Sequence, residues 1–577
     1  MNSKPLLLSG LALSANAFAE ICARTRPNIL FYIADDASYA HFGANGCKWV
    51  DTPAFDRVAS EGVVFDNCYT PNAKSAPSRA VLLTGRYSWQ LEEGGNHITN
   101  FPARYKVFTE VLGEKGYAVG FTGKGWAPGN PGEVDGKPRR LTGKPYQKRK
   151  TEPPTSQISK IDYAANFRDF LDDRAADGKS WFFWAGSREP HRRYEYGSGA
   201  ALGGRSIDAV DGIPRFWPDN EVVRNDMLDY GFEIEYFDRH LAAMLDELER
   251  RGELDNTIVI VTSDNGMPFP RAKANHYEQS HHQPLAIMWR GGIRHTGRRI
   301  SDYVNFVDIA PTVLDMAGVE PDGMQPVSGE SIRPLLESDR SGRIDAKRDR
   351  IIFGRERDDY GRPANQGYPI RGIIRDSLLY IWNLKPDLYP ACDPETGYAE
   401  IDGSPTKSVI LDMHRSGEND FSYDLAMGKR PKEELYDLKT DIDCMRNLAD
   451  DPKYAKRKRA MRRELLGVLR EQRDPRIVGD GDIFDRYPYH EAQNWNFYER
   501  VVSGEIERPW EITKWINPTD YDEYVRQRRA SAEKAETVGT AAKAETARPA
   551  AKAESAERAE KAVPNNGTTD PRGNGRR

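Results

Sequence analysis

Four short, almost wholly apolar runs limit what this chain can fold into. They are Pro27-Asn28-Ile29-Leu30-Phe31-Tyr32-Ile33-Ala34, Tyr117-Ala118-Val119-Gly120-Phe121-Thr122, Trp181-Phe182-Phe183-Trp184-Ala185 and Thr257-Ile258-Val259-Ile260-Val261-Thr262. A strand with one wet face alternates apolar and polar residues, whereas an unbroken apolar run is a strand buried on both faces. Helical patterns lie between the runs. Asp56–Glu61 and Phe108–Lys115 are short, and Met227, Ile234, Phe237, Leu241, Leu245 and Leu248 recur at helical spacing before Gly252. Strands alternating with helices imply an α/β fold: a large, mostly parallel sheet sandwiched by helices, here followed by a smaller C-terminal α+β subdomain. In such sheets ligands bind beyond the carboxyl ends of the strands. Those ends carry Asp35-Asp36, Gly123-Lys124 and Ser263-Asp264-Asn265-Gly266.

Between the first two runs stands Ser75-Ala76-Pro77-Ser78-Arg79-Ala80-Val81-Leu82-Leu83-Thr84-Gly85. This stretch resembles the signature of the type I sulfatases, Cys/Ser-x-Pro-Ser-Arg-x-x-Leu-Leu-Thr-Gly, within the alkaline-phosphatase-like superfamily. The resemblance implies that Ser75 is oxidised to formylglycine (3-oxoalanine) by a maturation enzyme that accepts serine. A hydrated aldehyde carries two hydroxyls on one carbon. One attacks sulfur, and deprotonation of the other expels sulfate and restores the aldehyde. Arg79, one helical turn on, can return toward position 75, and the helix N-terminus adds N–H donors for an anion.

Asp35, Asp36, Asp264 and Asn265 are hard oxygen donors, suited to Ca²⁺ or Mg²⁺ rather than zinc. The resemblance favours one Ca²⁺, with Ser75 as a further ligand. Lys124, and Lys273 ahead of Tyr277-Glu278, match the family's sulfate-binding cations and would stabilise charge on the transferring group. His191, in Glu189-Pro190-His191, matches the family histidine after proline and is the general-acid candidate. Gly123-Lys124-Gly125-Trp126 departs from the family's Gly-Lys-x-His, since Trp126 takes the histidine position. His97, His276, His281 and His282 are the alternatives for that group. His97, Arg192, Arg193, His276 and His282 are the residues expected to bind substrate. Further resemblances lie at Val307–Thr312, Gly329–Leu336 and Glu434–Leu438 with Asn447-Leu448-Ala449, so roughly residues 26–460 are covered.

The implied activity is hydrolysis of a sulfate ester or sulfamate on a sulfated glycan. Asp264-Asn265-Gly266-Met267-Pro268-Phe269-Pro270 and Glu189-Pro190-His191-Arg192 look most like the heparan N-sulfatases, which act on N-sulfoglucosamine; an O-sulfated sugar is the alternative. A phosphoryl-transfer enzyme of the same fold would need several His and Asp ligands for two zinc ions, and this chain lacks that histidine set at its strand ends. A glycan-binding protein with unmodified Ser75 is the alternative of another class.

The remaining sequence sets the domain plan. Lys4, the apolar stretch Pro5–Leu13 and Ala17-Phe18-Ala19 read as a cleaved signal over 1–19, hence export to the periplasm or the extracellular space. No later apolar run is long enough to span a membrane. The catalytic domain is expected over 20–345, with a Ser/Asp/Arg/Gly-rich boundary near 338–349. The α+β subdomain follows over 346–470, with strands at Ile370–Ile374 and Leu378–Trp382 and a helix over Tyr454–Arg470. An aromatic, surface-wrapping extension covers 471–529. A low-complexity tail, with Lys-Ala-Glu at Lys534, Lys543 and Lys552, covers 530–577 and reads as disordered. A net charge of −5 over 577 residues argues against nucleic acid as the main partner. Five cysteines without a CxxC pair exclude a cysteine zinc site and leave Cys47–Cys68 as the nearest disulfide pair in the main domain.

Overall fold

The computed structural model describes residues 26–175 and 178–521. The expected signal, Cys22 and the 530–577 tail lie outside the described residues. The central sheet has eight strands: β1 (Asn28–Ala34), β2 (Val63–Phe65), β3 (Ala118–Gly123), β4 (Lys144–Pro145), β5 (Trp181–Gly186), β6 (Thr257–Ser263), β7 (Leu285–Met288) and β8 (Arg298–Ile300). Their spatial order is β8-β2-β7-β6-β1-β5-β3-β4. Only β7 runs against its neighbours, so the sheet is mostly parallel, as expected.

Side-chain alternation sends the four apolar runs into two cores. Ile29, Phe31, Ile33, Phe182, Trp184, Ile258 and Ile260 face one side. Leu30, Tyr32, Phe183, Ala185, Val259 and Val261 face the other. Six helices supply the outer layers: α1 (Pro53–Glu61), α2 (Ser75–Thr84), α3 (Phe108–Glu114), α4 (Tyr163–Arg174), α5 (Glu221–Arg250) and α6 (Ile309–Met316). The first side is covered by α2, α3 and α6, the second by α1, α4 and α5. Helix α1 starts three residues before its periodic pattern. Pro53 fits the first turn, where no N–H is needed, and the Asp238 carboxylate accepts from Ala54 N and Phe55 N, each at 2.8 Å.

Register positions the site. Ile33 is level with Gly186, Ala34 with Ser263, and Gly186 with Gly123. The next residues of all four strands therefore emerge at one edge. Glycine is required there. A Cβ at Gly186 would lie 1.9 Å from the Lys124 carbonyl oxygen, and one at Gly123, where φ is 71°, would lie 1.8 Å from the Gly186 oxygen. These strand ends approach so closely that Lys124 N donates to Gly186 O at 2.8 Å.

A second, antiparallel sheet follows, with strands in chain order: β9 (Arg350–Arg355), β10 (Ile370–Arg375), β11 (Leu378–Asn383) and β12 (Glu433–Asp437). It is accompanied by α7 (Pro405–Ser416), which packs on α5, and α8 (Ala455–Glu471), whose Met461, Leu465 and Leu469 join the core on one face of this sheet. Residues 475–520 run through short helices and build a small core of their own, in which Tyr489, Phe497 and Val501 pack with Ile98 and Tyr360. The four described cysteines are all free, so Cys47 and Cys68 are not bridged; Cys68 is sealed in the core while Cys47 is only part-buried. No helix among the described residues is long and apolar enough to cross a membrane.

Candidate active site

Ser75 is the first residue of α2, and every residue of that helix is buried. The fold brings the strand-end residues around it. Ser75 Oγ lies 3.1 Å from Asp35 Oδ1 and 3.4 Å from Asn265 Oδ1. Lys124 Nζ donates to Ser75 Oγ at 3.0 Å and to both Asp35 oxygens at 2.6 and 2.7 Å. Asp36 sits in the left-handed region, φ 74°, with its N–H held by Asp264 Oδ1 at 3.1 Å. That conformation is unfavourable for a non-glycine residue, and the surrounding bonds hold it. Asn265 Nδ2 donates to Asp36 Oδ1 at 2.7 Å, which leaves the Asn265 oxygen turned toward Ser75.

Asp35, Asp36 and Asp264 each offer one carboxylate oxygen, and these three atoms lie within 4.8 Å of one another. With Asn265 Oδ1 and Ser75 Oγ they form an all-oxygen donor set. Hard donors at this density fit a hard dication such as Ca²⁺. Burial opposes ionisation of Asp35, but Lys124 and Arg79 outweigh it and hold that carboxyl well below its ordinary range. For Asp264 burial prevails against Arg79 and pushes the carboxyl up.

Arg79 is fully buried and does not line the pocket. Its Nε donates to Asp264 Oδ2 at 2.7 Å and its Nη2 to Asp35 Oδ1 at 3.3 Å, while Nη1 donates to the Lys124 and Gly125 carbonyls at 2.9 and 3.0 Å. The guanidinium thus clamps two carboxylates and the Lys124 turn from behind. Lys273 Nζ bridges Asp36 Oδ2 at 2.7 Å and Asp402 Oδ2 at 2.8 Å; burial disfavours its charge, yet these two carboxylates raise its pKa above the usual lysine range. His191 Nδ1 bonds the Arg192 carbonyl oxygen at 2.7 Å, and its Nε2 stands 3.7 Å from Asp36 Oδ2.

Ser75, Lys124, His191 and Lys273 open into one cavity of about 380 Å³, lined also by Lys74, His97, Asp359, Tyr360, Asp402 and residues from 490–494 and 512–515. Of the expected substrate-binding residues, only His97 reaches it. Its Nδ1 pairs with Asp359 Oδ1 at 3.0 Å, and burial lowers its pKa despite that carboxylate. Arg192 lines an adjoining cavity of about 630 Å³ that shares Lys124 and His191 with the first and reaches Asp35, and the other three are elsewhere. His276 is sealed in the interior, its ring stacked at 5.0 Å on Phe353, and burial holds it neutral. His282 is clamped between Glu278 and the Asp66 carbonyl and stacked between Tyr39 and Tyr69. Arg192 spends its fork on Asp226 at 2.7 and 2.8 Å and its Nε on the Pro268 carbonyl. Arg193 bonds the Lys514 carbonyl oxygen in an exposed contact. The Pro268-Phe269-Pro270 loop does not touch the cavity either: Phe269 is buried, with the Arg192 guanidinium 4.2 Å from its ring centre. Trp126 is also structural, its Nε1 donating to the Ala76 carbonyl at 2.9 Å.

Sequence reasoning missed Lys74, Asp359 and Asp402. Lys74 directly precedes α2, is almost wholly buried and pairs with Asp359 and, at 3.5 Å, Glu400. A signal existed in Asp358-Asp359, an acidic pair two residues beyond the end of β9, where Asp35-Asp36 follow β1 directly. Asp402 had none, because it lies in an irregular stretch ahead of α7.

An α/β sandwich with this oxygen cluster and these lysines around a serine at a helix N-terminus is the architecture of a hydrolase for tetrahedral oxyanions. Residues 27–319 match the family model described as Sulfatase. The chain belongs to the sulfatase family and is a sulfuric ester hydrolase. It is 26% identical to a human N-sulphoglucosamine sulphohydrolase over 497 residues, covering 80% of this chain and 94% of that one. It is also 26% identical to a Formosa agariphila ulvan-active sulfatase over 479 residues, 76% of this chain and 74% of that one. Among solved structures, a protein described in complex with its substrate D-glucosamine-2-N,6-O-disulfate shares the fold. The TM-score is 0.55 at 21% identity, covering 79% of this chain and all of the other.

Proposed function

We propose that the protein removes sulfate from a sulfated saccharide, using formylglycine made from Ser75 and one Ca²⁺ held by Asp35, Asp36, Asp264, Asn265 and position 75. The observation that carries this reading is the convergence of those oxygens with Lys124, Lys273 and His191 at the cavity floor. When present, the hydrated aldehyde supplies the attacking and releasing hydroxyls and the ion supplies positive charge for the sulfate oxygens. The chain's own residues do the rest. Lys124, already donating to position 75, orients the nucleophilic oxygen and meets the incoming anion. Lys273 presents a second cation. Arg79 is a positioning residue. His191 donates from Nδ1–H to the Arg192 carbonyl, so it is the imidazolium form, with a second proton on Nε2 near Asp36, that would give the leaving group its proton.

The substrate put first is heparan-type N-sulfoglucosamine, supported by the similarity to the human N-sulphoglucosamine sulphohydrolase. An O-sulfated sugar is the second reading, supported by the similarity to an N-acetylglucosamine-6-O-sulfatase of Bacteroides thetaiotaomicron, 26% identical over 435 residues. The signal-like N-terminus supports export. The test is mass spectrometry of the peptide bearing residue 75 from the native host, with turnover of N- and O-sulfated sugars. Formylglycine is lighter than serine by two hydrogens. An unmodified serine in protein that turns over none of the sugars overturns the reading.

A further inference from the structure

We infer that residues 489–515, well beyond the family-matched segment, recognise the sugar that carries the sulfate. The inference rests on the sulfatase reading of the Ser75 cavity and adds what selects the substrate within it.

The cavity has two unlike parts. Its floor is charged and fixed by the strand ends. Its far wall is built from the C-terminal extension: His490, Gln493, Asn494, Ile512, Lys514 and Trp515. This wall is anchored rather than draped. His490 N donates to the Ile98 carbonyl at 3.0 Å, and Arg357 donates to the Asp485 and Tyr487 carbonyls beneath it. The Arg357 guanidinium also lies 4.0 Å from the Tyr489 ring centre. Trp515 Nε1 donates to the Ala399 carbonyl at 2.8 Å, and Gly403 N donates back to the Trp515 carbonyl at 2.7 Å. The Tyr360 ring meets Phe497 at 4.8 Å and Trp515 at 5.3 Å.

The chemistry of the wall suits a sugar. An indole with a fixed orientation offers a flat apolar face for the C–H side of a pyranose, and imidazole and amide groups offer both donors and acceptors for hydroxyls. Asn494 is 2% exposed yet lines the cavity, and its Oδ1 has no hydrogen-bond partner among the described residues.

The test compares wild type with W515A and Q493A on an N- and 6-O-sulfated glucosamine, with inorganic sulfate as competitive inhibitor. Gln493 is exposed, and its side-chain amide donates to the exposed Glu491 at 2.9 Å, so Q493A keeps the fold if W515A does not. The expected result is a KM for the sugar raised about tenfold in W515A and severalfold in Q493A, with kcat and sulfate inhibition unchanged. Unchanged sugar KM in folded variants, with sulfate still inhibiting, overturns the role of the wall alone. Wild-type protein that neither turns over the sugar nor responds to sulfate overturns the sulfatase reading beneath it.

Discussion

Replacing Arg79 by methionine tests whether the site is held from behind. The side chain is fully buried and serves two carboxylates and two backbone carbonyls. Methionine fills much of the volume but removes the charge, so Asp35 and Asp264 lose a shared cation and the Lys124 and Gly125 carbonyls lose their donor. Removing one partner of a buried ion pair costs about 3–5 kcal/mol, because the remaining charges stay desolvated. Taking about 4 kcal/mol and an unfolding entropy of about 1 kcal/mol/K for a chain of this size, R79M should melt roughly 4 °C lower in a chelator. Added Ca²⁺ should recover part of that loss by neutralising the same carboxylates. R79K should fall between, since an ammonium reaches one end of the clamp but cannot span both. Differential scanning calorimetry with and without Ca²⁺ reads all three proteins. An R79M protein that melts with wild type in chelator and keeps wild-type turnover would refute the clamp.

Further outcomes follow from the same geometry. Ca²⁺ at about a hundred times its Kd should stabilise the folded protein by about 2.7 kcal/mol, and D264N should abolish that thermal shift. Burial pushes the Asp238 carboxyl up to about 7 from its ordinary 3.8, so between those values the folded state keeps a proton that the unfolded state has released. Its contribution is present in full below the lower value and is lost as pH rises through about 7. D238N loses one of the two acceptors for Ala54 and Phe55 and starts less stable, but its deficit against wild type should shrink by up to about 1.4 kcal/mol per pH unit over that window, read by urea denaturation at pH 5 and 7. G186A should lose at least about 3 kcal/mol, seen as a lower melting temperature or no soluble protein, because its methyl would collide with the Lys124 carbonyl.

The sheet and the floor of the site were legible in the sequence for one physical reason. Parallel strands buried on both faces must be apolar throughout, so the first polar residues after them mark the carboxyl edge. Asp35, Lys124 and Asp264 were found that way, and Ser75 by its motif. The walls were not legible. His276 and His282 sit close in sequence to Lys273, but the chain turns inward after it and buries them among Phe353, Tyr39 and Tyr69. Arg192 sits next to His191, yet its fork points to Asp226. Asp359, Asp402 and Trp515 reach the cavity through tertiary packing of irregular chain, which leaves no period to read.

The burial of α2 also orders events in time. Ser75 is 2% exposed, at the base of a cavity of about 380 Å³ whose rim includes residues more than 400 positions later in the chain. No second protein can bring an active centre to that hydroxyl once the rim has closed. The enzyme proposed to oxidise Ser75 would therefore have to meet the segment as an extended peptide, before the chain folds around it. Under the proposed oxidation of Ser75, a chain that folded first would stay serine, and the active fraction of a preparation would record a race between folding and maturation.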